Sequence, residues 1–187
     1  MLFRSLLLAR LFFNLGLPEA PARDLAVAVR ASADKLPFHS LEELLAVPGM
    51  TPEIYYGGFR SGARRPGLDE VLTVRTRRAA VDVNYAPAEV LASLPGMDLP
   101  AATAVVAARA RRPFRNIEEL AGVAAVLRSP EALPFVTLGG TPGVAGLPLT
   151  LRAYGRAAGA GLERAVTALV ELDPKEPAKM RVLEWKE

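Results

Sequence analysis

The chain has 187 residues, 51% of them hydrophobic, a formal net charge of +3 and no cysteine. That is apolar material for one ordinary core or two small ones, and the missing thiols exclude disulfide frameworks, thiolate zinc sites and a cysteine nucleophile. Arginine is concentrated between Arg60 and Arg115, so the middle of the chain is locally basic and a nucleic-acid partner has to be weighed.

The apolar start, SLLLA and LFFNLGL, is interrupted by Arg4, Arg10 and Asn14, whereas about 18 clean apolar residues are needed to span a bilayer. It predicts an amphipathic helix from Leu6 to Leu15, ended by Gly16 and Pro18. Signal-peptide character is lacking, because Gly16-Leu17-Pro18-Glu19 is no small-residue cleavage site. After Pro21, ARDLAVAVRAS has helical composition, with Leu25 and Val29 four residues apart. In PFHSLEELLAVPGM, Ser40 and Glu43 have the spacing of a capping box, so a helix is expected to start there and to break at Pro48-Gly49.

The chain then repeats itself. SLEELLAVPGMTPEIYYGGF resembles APAEVLASLPGMDLPAATAVV, aligning Pro48-Gly49-Met50 with Pro95-Gly96-Met97, and PFHSLEELLAV resembles PFRNIEELAGV, aligning Phe38 with Phe114. Two helix, Gly hairpin, helix units follow from this. The connection between them is rich in Gly and Arg, with residues 70–74 as a short extended or irregular piece. From Phe135 the period changes to alternation: PFVTL, LPLTLRAYGRA, LERAVTALVEL and MRVLEWKE read as four strands of a small antiparallel sheet. Val166, Ala168, Val170 and Leu172 fall on one face, Thr167, Leu169 and Glu171 on the other. Ala157–Gly161 and Asp173–Lys175 are its turn sites. The fold class is α+β, a helical domain over residues 1–128 and a sheet over 129–187.

Helix-hairpin-helix units that bind DNA use a Gly-apolar-Gly loop whose amides cradle a phosphate at a helix N-terminus. Here the loops are Gly49-Met50-Thr51 and Gly96-Met97-Asp98, so the second glycine is absent from both. Asp98 places a carboxylate, itself a helix cap, where the phosphate would sit. Arg109, Arg111, Arg112 and Arg115 come at the far end of the second helix, where cations are favoured without any ligand. They are expected to meet other proteins. The connection's Arg60, Arg64, Arg65, Arg75, Arg77 and Arg78 have only Phe59 and Tyr85 for base stacking, so a solvated basic surface is the reading there too. His39 is the single histidine, the acidic pairs Glu42-Glu43, Asp69-Glu70 and Glu118-Glu119 are adjacent in sequence, and there is no nucleophile elbow, calcium loop or phosphate loop. The chain is not expected to be an enzyme.

The order LEELLAVPGM, a Gly/Arg connection, VDVNYAPAEVLASLPGM, VVAARARRPFRNIEEL, an F-V-T strand and a terminal RVLEW resembles the general secretion pathway protein K family, the large minor pseudopilin of type II secretion systems. Val83-Asn84-Tyr85-Ala86 matches the family's V-N-hydroxyl-A signature, with Tyr85 where Thr is usual. Asn84 suits a loop whose side chain bonds neighbouring backbone groups and sets up the helix near Pro87.

The resemblance implies a helical domain of two degenerate helix-hairpin-helix (SAM-like) units, built on Gly49, Asn84, Gly96 and Asp98, followed by a pilin-like sheet. It implies a structural role in protein secretion at the tip of a periplasmic pseudopilus on the inner membrane. Its implied partners are the minor pseudopilins I and J and secreted substrates, with no nucleic acid. The family's anchoring helix is missing from these residues, so the sequence reads as the carboxyl-terminal part of a member, with membrane contact only through that helix. The acidic loop that relatives carry is reduced to ASADKLPFHS, so neither calcium nor another cofactor is expected. The alternative reading is a nucleic-acid-binding hairpin protein of the DNA-uptake type.

Overall fold

The computed structural model describes residues 2–60, 63–72, 80–138, 148–156, 163–172 and 180–186. Two compact units, Met1–Leu138 and Gly139–Glu187, divide the chain. The first is helical and the second is a small antiparallel sheet.

The helical unit opens with α1 (Leu2–Asn14) and α2 (Glu19–Lys35). α1 begins earlier than the expected Leu6, because no breaker precedes it; Gly16, at φ 108°, ends it. α2 takes Pro21 into its first turn, where the missing amide hydrogen would have had no partner within the helix. On its exposed side Arg30 pairs with Asp34 at 2.9 Å and Arg23 with Glu19, each worth about 0.2–0.5 kcal/mol. Phe12 and Leu25, at 0% and 2% exposure, lock the two helices together.

The segment after Ser40 forms a short 3-10 helix, Glu42–Ala46, and not the α-helix expected. Only one half of the capping box forms as read: the Glu43 carboxylate accepts from the amides of His39 and Ser40. The Leu44 and Val47 amides donate to the carbonyls three residues back, of Leu41 and Leu44, which is the tighter 3-10 pattern. α3 (Pro52–Tyr56) completes this first hairpin, and Leu44, Val47 and Tyr55 bury with Phe12 and Leu25 in one core.

The connection is more ordered at its start than its composition suggests. β1 (Gly58–Arg60) and β2 (Ala63–Arg65) pair antiparallel, and α4 (Leu68–Val71) overlaps the start of the extended or irregular piece expected over residues 70–74. α4 forms because Glu70 caps it, accepting from the Gly67 amide at 3.3 Å, and Leu68 anchors it at 0% exposure. Arg75, Arg77 and Arg78 lie outside the described residues.

β3 (Val81–Asp82), α5 (Ala88–Leu91), α6 (Leu99–Arg111), α7 (Ile117–Ala121) and a 3-10 turn at Ala125–Arg128 enclose a second core of Val83, Leu91, Leu94, Met97, Val105, Phe114, Leu120 and Leu127. β4 (Val136–Thr137) does not join the tail sheet as its first strand, which corrects the four-strand expectation. It pairs parallel with β3, Val81 opposite Val136 and Asp82 opposite Thr137. Two residues suffice for that pairing because Phe135, Val136 and Leu138 pack on the second core.

The sheet unit has three strands, β5 (Pro148–Arg156), β6 (Glu163–Leu172) and β7 (Met180–Lys186), antiparallel in the order β5-β6-β7. On the central strand Ala168 and Val170 are buried and Val166 is half-buried. Their register partners Leu151, Val182 and Trp185 lie on the same face and are 48%, 49% and 59% exposed. The opposite face carries the Arg181–Glu171 ion pair at 2.7 Å. The register shifts between Leu169 and Val170, so Leu183 is the extra residue of a bulge. The turns at 157–161 and 173–175 lie outside the described residues. Among the described residues, no helix is long and apolar enough to cross a membrane.

Candidate functional site: the second hairpin and the basic end of its helix

The two hairpins share their backbone logic. Gly49 and Gly96 adopt φ of 89° and 72°, the left-handed region that a side chain disfavours. The next helix is capped in both: Thr51 Oγ1 accepts from the Ile54 amide at 3.4 Å, and Asp98 Oδ1 from the Ala101 amide at 2.8 Å. A carboxylate therefore sits on the amide-rich start of α6, where a phosphate would have to bind. Glu53, in the first turn of α3, is held below the usual carboxylate range by hydrogen bonds from its own backbone amide and from Thr51.

Two contacts from elsewhere close the second hairpin further. A Cβ built on Gly96 would come within 2.2 Å of Val126 Cγ2, so the 3-10 turn packs directly on the glycine. From the other core, Arg10 donates to the carbonyls of Met97 at 2.5 Å and Ala92 at 3.3 Å. Asn14 donates to the Glu89 carbonyl at 3.0 Å. Arg10 and Asn14, two of the polar residues that interrupt the apolar start of the chain, thus satisfy α5 and hairpin carbonyls and join the two cores. Nothing in the local pattern of α1 announces this, since the partners lie more than 70 residues away.

The turn after β3 is held from three directions. The Asn84 amide hydrogen goes to Asp82 Oδ1 at 2.9 Å, so it is Asp82 that shapes the turn locally. The Asn84 side chain reaches much further than the neighbouring groups expected for it. Its nitrogen donates to the carbonyls of Phe114 at 2.9 Å and Leu138 at 3.1 Å, and its oxygen accepts from the Phe114 amide at 2.9 Å. One side chain thereby fastens β3, the loop after α6 and the end of β4.

The four arginines at the end of α6 have different settings. Arg109 turns onto the same turn, donating to the Val83 carbonyl at 2.6 Å and the Tyr85 carbonyl at 3.5 Å. Arg112 bonds Glu119 Oε1 at 2.5 Å, while Glu119 Oε2 accepts from the Arg115 amide and Asn116 caps α7 through the Glu119 amide. Arg111 and Arg115 are exposed. In the connection, the Arg65 side chain is half-buried.

Asp82 and Arg109 bear on one another across this turn. Burial raises the Asp82 carboxyl above its ordinary value, against the opposing effects of the Asn84 amide and the Arg109 charge. Burial also lowers Arg109, with Asp82 acting in the opposite sense. A carboxyl raised in the fold keeps a proton that the unfolded chain has already lost, so its contribution to stability is full below 3.8 and is lost as pH rises through the folded value. The stability of the parent relative to Asp82→Asn is therefore expected to fall with rising pH just above 3.8 and to be flat at neutral pH. Urea unfolding at a series of pH values measures it, and a relative stability that rises over that interval contradicts the assignment.

Residues 81–133 match the family model described as type II secretion system (T2SS), protein K. No curated protein and no solved structure matches the chain significantly. The matched stretch contains the Asn84 turn, the second hairpin, the basic end of α6 and the 3-10 turn that packs on Gly96. Residues 81–133 are therefore similar to protein K of the type II secretion system, and the match carries the Asn84 turn and the second hairpin with it.

Proposed function

We propose that the chain is a minor pseudopilin, a structural component at the tip of the type II secretion pseudopilus on the periplasmic face of the inner membrane, working through contacts with the minor pseudopilins I and J. It has no reaction to catalyse. A role in type II secretion follows from the family region; what supports a pilin-type subunit is the sheet. Leu151, Met180, Val182 and Trp185 stand on one face at 48–59% exposure, opposite a polar face. These side chains lie on the two edge strands and flank the buried Ala168 and Val170 of the central strand, and clustered exposed apolar residues of this kind suit a packing site. Three strands at about 4.8 Å spacing are as wide as one helix, about 10 Å across, so the face suits a single apolar helix of the pilin stem type.

The test is retention of the soluble domains of pseudopilins I and J on the immobilised chain. Retention of at least one is expected, and retention of neither, with the chain folded by circular dichroism, overturns the reading. In parallel, the chain is expected to enhance the emission of an apolar-surface dye. Leu151→Lys/Val182→Lys should reduce that enhancement severalfold without loss of strand signal. Tight duplex-DNA binding that falls steeply with salt would instead favour a nucleic-acid protein.

A further inference from the structure

The basic end of α6 is not one uniform surface. Arg109 is consumed in holding the turn after β3, and Arg112 is paired with Glu119. Arg111 and Arg115 remain exposed, and among the described residues neither side chain takes part in a hydrogen bond or ion pair. The turn that Arg109 holds presents Tyr85 at 68% exposure.

Single exposed apolar residues are ordinary on a protein surface, but Tyr85 stands on unusually fixed backbone. The turn around it is tied by the Asn84 side chain to Phe114 and Leu138, by Asp82 to the Asn84 amide and by Arg109 to the carbonyls on either side of Asn84. Since Phe114 directly precedes Arg115, the same bonds hold the tyrosine-bearing turn against the arginine-bearing loop. A surface already rigid before binding loses little entropy on complex formation, and tyrosine and arginine are the residues that most often dominate binding energy.

We infer that Tyr85, Arg111 and Arg115 form a docking surface for an acidic segment of a partner protein, with Arg109 and Arg112 as positioning residues. Charge complementarity selects the partner, and the aromatic ring adds contact area. Nucleic acid fits less well. The amide-rich start of α6 is capped by Asp98 and lies about 20 Å away along a helix of 13 residues. The exposed Glu118 also interrupts the basic track. This deepens the pseudopilin reading and rests on it only in taking the partners to be proteins.

The experiment measures fluorescence anisotropy of a labelled peptide of alternating glutamate and serine, titrated with the full chain at near-physiological salt. The peptide is expected to bind, and Arg111→Glu/Arg115→Glu to weaken it by about tenfold or more. Tyr85→Ala should weaken it by about threefold, and Tyr85→Phe should restore most of that, because the ring and not the hydroxyl is used. The control Arg23→Glu/Arg30→Glu makes the same change in net charge on α2 and should leave affinity within about twofold. Absence of peptide binding, equal weakening by the control pair, or tighter binding of a duplex DNA lost in Arg111→Glu/Arg115→Glu each overturns the proposal. Retention of pseudopilins I and J that survives Arg111→Glu/Arg115→Glu, with peptide binding lost, leaves both readings standing on separate surfaces. Failed retention with peptide binding intact removes only the pseudopilin assignment.

Discussion

Gly96→Ala is expected to destabilise the helical unit by about 2–5 kcal/mol, while Gly49→Ala at the equivalent position of the first hairpin costs about 1–2 kcal/mol. Both glycines sit at positive φ, so both variants suffer the left-handed penalty of an L side chain, about 1–2 kcal/mol. They differ in what the new methyl group meets. At Gly49 it lies 3.7 Å from Leu25 Cδ1, an ordinary contact, whereas at Gly96 it lies 2.2 Å from Val126 Cγ2. Valine has a stiff χ1 and cannot swing away, so the 3-10 turn must shift, an overpacking cost of about 1–3 kcal/mol. Urea unfolding followed by circular dichroism separates the two. Adding Val126→Ala to Gly96→Ala makes room for the methyl and should leave a deficit, relative to Val126→Ala alone, close to that of Gly49→Ala. Equal effects of the two glycine substitutions would show that Val126 does not rest on the hairpin.

Asn84→Ala is expected to cost about 2–4 kcal/mol, because it strands the Phe114 amide and the carbonyls of Phe114 and Leu138 together. An unmade bond of this kind costs about 1–3 kcal/mol where the stranded group is fully buried and less where water reaches it. Three such groups in a half-buried turn therefore together fall short of three full penalties. Asn84→Asp distinguishes hydrogen bonding from mere space. It keeps an acceptor for the Phe114 amide but turns an oxygen toward two carbonyls, so at neutral pH it should be nearly as damaging as alanine. Protonation restores one donor, so Asn84→Asp should recover stability as the pH is lowered through its carboxyl range. The same melts, repeated between acidic and neutral pH, read this out. A variant as stable as the parent would remove Asn84 from the framework and, with it, the rigid platform under Tyr85.

Local chemistry accounts for what was legible beforehand. The Pro-Gly turns, the Asp98 cap, the division into a helical part and an antiparallel sheet, and the alternating faces of β6 depend on groups within a few residues of each other. Ala168 and Val170 point inward because strand side chains alternate, whatever lies next to the strand. The placement of PFVTL went differently: its alternation is compatible with any sheet, and its pairing with Val81–Asp82 was decided by the apolar surface of the second core. β1 and β2, three residues each, are too short to leave a pattern.

The terminal MRVLEW makes the same point about the apolar face. Simple alternation would put Val182 and Trp185 on opposite sides, since they are three residues apart. The bulge at Leu183 absorbs one residue and returns Trp185 to the face of Ala168 and Val182. A bulge arises from pairing with the neighbouring strand, so no reading of β7 alone reveals it.

The sequence by itself determined where the chain turns, which helix ends are capped and that the amide-rich start of α6 is occupied by a carboxylate. Those outcomes rest on contacts spanning three or four residues. Only the tertiary structure decided that Arg10 and Asn14 serve the second hairpin, that Asn84 bridges strands and loops 30 and 54 residues away, and that Arg109 faces inward while Arg111 and Arg115 face solvent. Hydrogen-bonding groups are alike wherever they occur along a chain, and their partners are chosen by the packing of the apolar cores that brings them within reach.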